Sequence, residues 1–315
     1  MTALLQQYYR IVRSWLRIAS AAIGVTGWTL VVTAWTPVVT ACSQEVAQPV
    51  AVEAERLYAD GMEHLAGGSV LEAEQEFQKL SKLPAYVGLT SLARLRLADT
   101  LFVARRHDEA IEAFRSFISR HDGNPNIPYA MYMIARSQFE LAPTDLWIMP
   151  PVYEMDLTPV QLARQELEKF VRTYPRSRLT TDALAMRERC IELLYAHAQY
   201  VVGFYRNRGE AMGVVFRLHQ AMQQFADRAH DLDNYETLAG AYAQLGWRKR
   251  AVEMWQAIGR RWPRSLQAQQ APTQIAALNA EIAAALARGE PGEMPTQVPP
   301  TAAVKPELLG GEGSS

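Results

Sequence analysis

The chain has 315 residues, 49% of them hydrophobic and 21% charged, with 32 Lys and Arg against 33 Asp and Glu and a formal charge of −1 when histidine is neutral. This balance gives no support to a nucleic-acid partner, and the apolar content excludes a wholly disordered chain. The length leaves room for one elongated or two compact domains with a sizeable core.

The first predicted element is a leader, residues 1–41. It carries Arg10, Arg13 and Arg17 and no acidic residue, then an apolar run that reaches Val39-Thr40-Ala41-Cys42 and turns polar at Ser43-Gln44-Glu45. A basic start, an apolar core, small residues and a cysteine are what a bacterial lipoprotein signal peptide requires. Small side chains let the backbone enter a peptidase cleft, and the Cys42 thiol takes up a diacylglyceryl group. Each buried methylene adds roughly 0.8 kcal/mol, so two or three acyl chains hold a protein firmly on a bilayer. The competing reading is a retained transmembrane helix, because 18–35 is long enough to span. Pro37 and the polar turn after Cys42 favour cleavage and lipidation. Ser43, rather than aspartate, after the cysteine implies sorting to the outer membrane, from what is known of lipoproteins as a class. Removing the leader leaves 29 basic against 33 acidic residues, a formal charge of −4. With Cys42 acylated, Cys190 is left without a disulfide partner, so packing must supply stability.

Residues 42–52 then read as a lipidated tether, and from 53 onward the apolar spacing is helical with no convincing strand alternation. A small residue recurs with large apolar residues four and seven places on: Ala73, Phe77, Leu80; Ala110, Phe114, Phe117; Ala163, Leu167, Phe170; Ala251, Trp255, Ile258. Such positions share one helix face, so the alanine admits a neighbouring helix while the larger side chains fill the space beside it. A preceding helix is predicted each time, over 53–66, 88–104, 127–141 and 233–246. A further pair has a long first helix over 178–206 and a second beginning near Gly209. This pattern predicts an all-α, tetratricopeptide-type superhelix of about five helix pairs, since such pairs bury their apolar faces only by stacking. Thr158-Pro159-Val160-Gln161 reads as a capping box, and Gly67-Gly68 and Gly246 as turns between helices. A phosphate loop at Gly67-Gly68-Ser69 lacks the preceding strand and following lysine it would need.

Two features break the even spacing. The connection 143–157 is too long for a turn within a repeat and holds Trp147, Ile148, Met149, Val152 and Tyr153; it is expected to fold back onto the repeats rather than stand open. The long helix keeps Leu184, Ile191, Leu194, Tyr195, Ala198, Val202 and Tyr205 at helical spacing and reads as a spine joining front repeats to rear ones. The repeats divide into 53–175 and 176–285. Beyond them, 286–315 is rich in Gly and Pro and is expected to be disordered.

Catalytic chemistry is hard to find. The six histidines lack a second ligand at i+4, there is no nucleophile elbow, and Cys190 reads as a small core residue. A non-catalytic binding protein without metal or cofactor is the expectation.

Three ordered stretches carry a family resemblance. Asn124-Pro125-Asn126-Ile127-Pro128-Tyr129-Ala130-Met131-Tyr132-Met133 closely resembles the H-P-N-I-x-Y-x-M-Y-M segment of the BamD family, lipoproteins of the outer-membrane β-barrel assembly machinery. Val171-Arg172-Thr173-Tyr174-Pro175-Arg176-Ser177, with Thr180-Thr181-Asp182-Ala183, resembles its V-R-x-Y-P-x-S and T-T-D-A. Arg208-Gly209 and Val214-Val215-Phe216-Arg217 are similar to its R-G and V-V-x-R. The resemblance covers about residues 53 to 260. The long leader, Pro128 where the family commonly has an acidic residue, and the extended tail depart from it.

The resemblance implies a lipid-anchored protein on the periplasmic face of the outer membrane. Its rear repeats would bind the POTRA region of the barrel-forming insertase, and the whole would help deliver unfolded β-barrel precursors, with other assembly lipoproteins as further partners. Arg217 matches the family arginine implicated in coupling to the insertase, with Arg208, Gly209, Val214 and Val215 beside it. Tyr58, Tyr86, Arg94 and Arg96 fall in the front repeats, which the family is thought to use for precursors. The alternative is a pilotin-like or envelope-maintenance lipoprotein with the same fold and a different client.

Overall fold

The computed structural model describes residues 41–83, 87–143 and 150–291. The leader through Thr40, Tyr86, the apolar run Trp147-Ile148-Met149 and the tail from 292 lie outside the described residues, as do the side chains of 41–49, Cys42 among them. The chain divides after Val50 into two units, and the helical repeats belong to the one that begins at Ala51.

Among the described residues the regular structure is twelve α-helices and one short 3-10 turn. They are α1 (Ala41–Gly67), α2 (Val70–Ser81), α3 (Val87–Val103), α4 (His107–Arg120), α5 (Ile127–Glu140), α6 (Thr158–Thr173), α7 (Thr180–Asn207), α8 (Ala211–Gln224), α9 (Ala226–Ala229), α10 (Leu232–Gln244), α11 (Arg248–Arg261) and α12 (Leu266–Ala287), with the 3-10 turn at Val152–Glu154. From α2 onward each long helix packs against its neighbour in sequence, α8 reaching α10 across the short α9. The pairs α1/α2, α3/α4, α5/α6, α7/α8 and α10/α11 are the five of the predicted repeat fold, and α12 packs against α11. The stretch 42–52, read from sequence as a tether, is helical backbone in α1.

The recurring small residues do what their spacing implies. Ala73, Ala110, Ala163 and Ala251 are all fully buried, and Phe77, Phe114, Leu167, Phe170 and Ile258 beside them equally so. One continuous core runs from Leu95 to Leu278, and a smaller cluster of Ala54, Leu57, Leu80 and Ala93 holds α1 against the next helices. Gly61 on α1 is part of that closeness, because a Cβ there would stand 2.8 Å from the Phe77 ring. The turn inside a pair repeats one backbone solution. Gly68, Gly209 and Gly246 take left-handed φ of 82°, 71° and 73°, and in the second pair Arg105 occupies the same place at 60°. A side chain in that region is uncommon and costs on the order of 1 kcal/mol.

The structure corrects two local readings. Thr158 is already inside α6, and the residue that prepares the helix is Asp156, whose Oδ1 accepts from Thr158 N at 2.9 Å and Thr158 Oγ1 at 2.6 Å. On α7 the inward stripe is Ala183, Cys190, Leu194 and Val202, while Leu184 is 39% exposed. One helical position is about 100°, so a reading displaced by one residue turns a side chain out. Cys190 lies in the core, and burial pushes its thiol up to about 12.

The spine has a geometric consequence. α7 has 28 residues against 16 in α6 and 14 in α8, and it touches both. At about 1.5 Å per residue it outreaches both, so one helix can contact the front and the rear repeats along its length. A polar knot fixes the rear junction: Tyr195 donates to Asp231 Oδ2 at 2.9 Å, Gln199 Nε2 donates to Tyr195 Oη at 2.8 Å, and Arg228 pairs with Glu188. The end of the long connection folds back on α7, where Val152 and Leu157 are buried.

Candidate protein-binding site

Two side-chain assemblies stand apart from the apolar core. The first joins the leading helices of the first three pairs. Arg96 on α3 donates through Nη1 to Asp99 Oδ2 at 2.7 Å and through Nε to the Tyr58 hydroxyl of α1 at 3.4 Å. Tyr129 of α5 donates to Asp99 Oδ1 at 2.8 Å. The side chains of Arg96 and Asp99 are 15% and 10% exposed, so this pair is largely out of water. Burial opposes the charge on Arg96, but Asp99 and Tyr58 outweigh it and raise the guanidinium well above its ordinary value. Burial pushes the Asp99 carboxyl up, against the pull of Arg96 and Tyr129. Nearby, Arg94 Nη1 lies 3.3 Å from His121 Nε2. Burial lowers the His121 pKa, and the positive charge of Arg94 lowers it further.

Sequence reasoning named Tyr58, Arg94 and Arg96 together, and the fold does gather Tyr58 with Arg96. It missed Asp99 and Tyr129, the groups that hold Arg96. An aspartate three residues after an arginine on a mostly apolar helix was the available signal, since i,i+3 side chains meet.

The second assembly is at the far end of α7 and on α8. Val214 and Val215 are 3% and 1% exposed, so they belong to the core and not to a contact surface. Three large apolar residues in a row on a helix cannot all face inward, and Phe216 is the one left out, at 50% exposure, with Met212 one turn earlier at 41%. Arg217 follows. Its guanidinium carbon is 5.9 Å from the Tyr205 ring centroid and 5.8 Å from that of Phe216, and Nη1 donates to Gln220 Oε1 at 3.2 Å. No ion pair of Arg217 is present among the described residues. Arg208 caps the neighbouring ring, 5.2 Å from the Phe204 centroid, and donates through Nε to Glu210 at 2.9 Å. Gly209 is the left-handed turn residue between the two helices, and Gly213 lies directly under the Tyr205 ring.

An arginine laid over aromatic rings, with spare donors and an apolar surround, is the composition found at the centres of protein interfaces. Among the described residues no three His, Cys, Asp or Glu are gathered as a metal requires, and no helix is long and apolar enough to cross a membrane.

A family model described as an outer membrane lipoprotein, YfiO, matches residues 50–257. The chain belongs to this family. The match spans both assemblies, the front cluster on α1, α3 and α5 and the Arg217 surface on α7 and α8. Among curated proteins the chain is similar to outer membrane protein assembly factor BamD of Rickettsia prowazekii, 23% identical over 71% of this chain and 84% of that one. It is similar also to the protein of the same name from Xylella fastidiosa, 24% identical over 67% and 76%. A solved tetratricopeptide-repeat domain, that of P58(IPK), is similar at 15% identity over 78% of this chain and 71% of that one, with a TM-score of 0.30.

Proposed function

We propose that this YfiO-family protein is a non-catalytic scaffold of the outer-membrane β-barrel assembly machinery, anchored through Cys42 on the periplasmic face. Its rear repeats bind the POTRA region of the barrel insertase at the Arg217 surface, and its front repeats help receive unfolded barrel precursors. The observation that carries this reading is Arg217 itself: a guanidinium over two rings with no carboxylate partner among the described residues. The planar fork suits an incoming carboxylate, which it pairs with at two points. The alternative of an internal salt bridge has no partner to supply it among the described residues.

The front cluster has a more divided role. Arg96 is engaged with Asp99 and Tyr58, so it serves mainly to join α1, α3 and α5. Arg94, whose neighbour is a histidine rather than a carboxylate, is the cation there with charge to offer a precursor.

Affinity purification of the tagged full-length protein from its native membrane, with mass spectrometry of what accompanies it, tests the assignment. A POTRA-bearing outer-membrane barrel in near-equal amount is the expected result. Recovery of a secretin or an envelope-maintenance protein in its place contradicts the assignment and leaves the fold standing.

A further inference from the structure

The second half of α7 carries an aromatic row that neither Arg217 nor the core accounts for. Tyr200 and Phe204, one turn apart, are 38% and 45% exposed, and Tyr153, from the connection between α5 and α6, is also 38% exposed. The Tyr153 and Tyr200 ring centroids are 5.7 Å apart. The Phe204 and Tyr205 rings meet edge to face at 5.5 Å, and Arg217 lies over Tyr205. Tyr200 and Phe204 are i,i+4 neighbours on one helix face, so the row runs from Tyr153 along α7 to Tyr205, Arg217 and Phe216. Single exposed aromatics are ordinary, but a contiguous strip of them on a folded protein marks a contact surface.

The connection that supplies Tyr153 is held rather than loose at that point. Val152 is 6% exposed against α7, and His197 Nδ1 of α7 lies 2.6 Å from the Tyr153 carbonyl oxygen. Among the described turns within pairs, the others need two or three residues, so length alone does not explain why this one reaches across to α7. Clamping it there presents an aromatic ring whose ordering cost has already been met before any partner arrives.

We infer that Tyr153 and Tyr200 form the second half of the insertase-docking surface whose first half is Arg217, a step that rests on the function proposed above. Two features of the row commit it to the same partner. It runs from the tyrosines through Phe204 and Tyr205 to Arg217, and Arg217, unlike Arg208 over Phe204, which pairs with Glu210, has no carboxylate partner among the described residues, so the row fits one face that is apolar at its centre and acidic where it meets Arg217.

The test is titration of the full-length lipidated protein, in detergent, with the intact detergent-solubilised insertase. Tyr153→Ala and Tyr200→Ala should each weaken binding by about ten-fold, the loss typical of a central aromatic anchor. Tyr153→Phe, which keeps the ring, should bind as wild type, and unchanged circular dichroism would show that the alanine variants fold. If Arg217→Glu weakens binding while both alanine variants bind as wild type, the inference is overturned and the Arg217 reading stands. If the wild-type protein does not bind the insertase at all, the proposed function fails and takes the inference with it.

Discussion

Asp99→Ala is expected to destabilise the protein by about 3–5 kcal/mol, the usual cost of removing one partner from a buried ion pair. Asp99 accepts from Arg96 at 2.7 Å and from Tyr129 at 2.8 Å, and the whole residue is only 7% exposed. Its loss leaves a guanidinium largely out of water with only the long Tyr58 contact at 3.4 Å, and leaves the Tyr129 hydroxyl without its acceptor. Because the three helices concerned begin the first three repeats, the damage should fall on the front of the stack. Urea unfolding followed by far-ultraviolet circular dichroism would show a large drop in midpoint. The double variant Arg96→Met, Asp99→Leu should recover most of it, since apolar side chains of similar size can replace a buried pair at little cost. A midpoint for Asp99→Ala equal to wild type would mean that the pair contributes nothing to joining the repeats.

The second large effect is expected at Gly213. A Cβ at this position would lie 2.3 Å from Cδ1 and 2.7 Å from Cγ of Tyr205, at the base of the ring where rotation gives little relief. Gly213→Val therefore forces Tyr205 off α8, at the cost of about 1–3 kcal/mol that overpacking commonly carries. The functional loss should exceed the structural one. Tyr205 is the ring beneath Arg217 and the link to Phe204, so its displacement breaks the aromatic row at its middle. The expected observation is a protein that still folds and loses insertase co-purification. Co-purification at the wild-type level would separate the row from partner binding.

Much of the fold was legible because it is periodic. Ala110, Phe114 and Phe117 had to share a face for any helix to bury them, and they do. The spine was legible from its length, but its phase was not: with Leu184 and Ala183 adjacent, both alanine and leucine fit an apolar stripe, and only the neighbouring helices select Ala183. The cap of α6 was misplaced because Asp156 and Thr158 are both good capping residues two positions apart. The binding surfaces were harder to see. Val214, Val215, Phe216 and Arg217 belong to one segment in the sequence, yet the first two are core, Phe216 is exposed and Arg217 is half-buried beside it. Tyr153 and Tyr200 lie far apart in the sequence and meet only because the connection turns back onto α7. No local pattern encodes a contact of that kind.

That Arg217 receives the insertase is tested most directly by measuring the affinity of the intact solubilised insertase for the full-length protein and for Arg217→Glu. Reversing the charge removes the donor fork and sets a carboxylate against the acidic groups that the surface is built to meet. Saturable binding is expected for wild type, with a loss of at least about ten-fold in the variant, given that close interfacial charge pairs couple by roughly 1.5 kcal/mol or more. Equal affinities for the two proteins would contradict that role for Arg217.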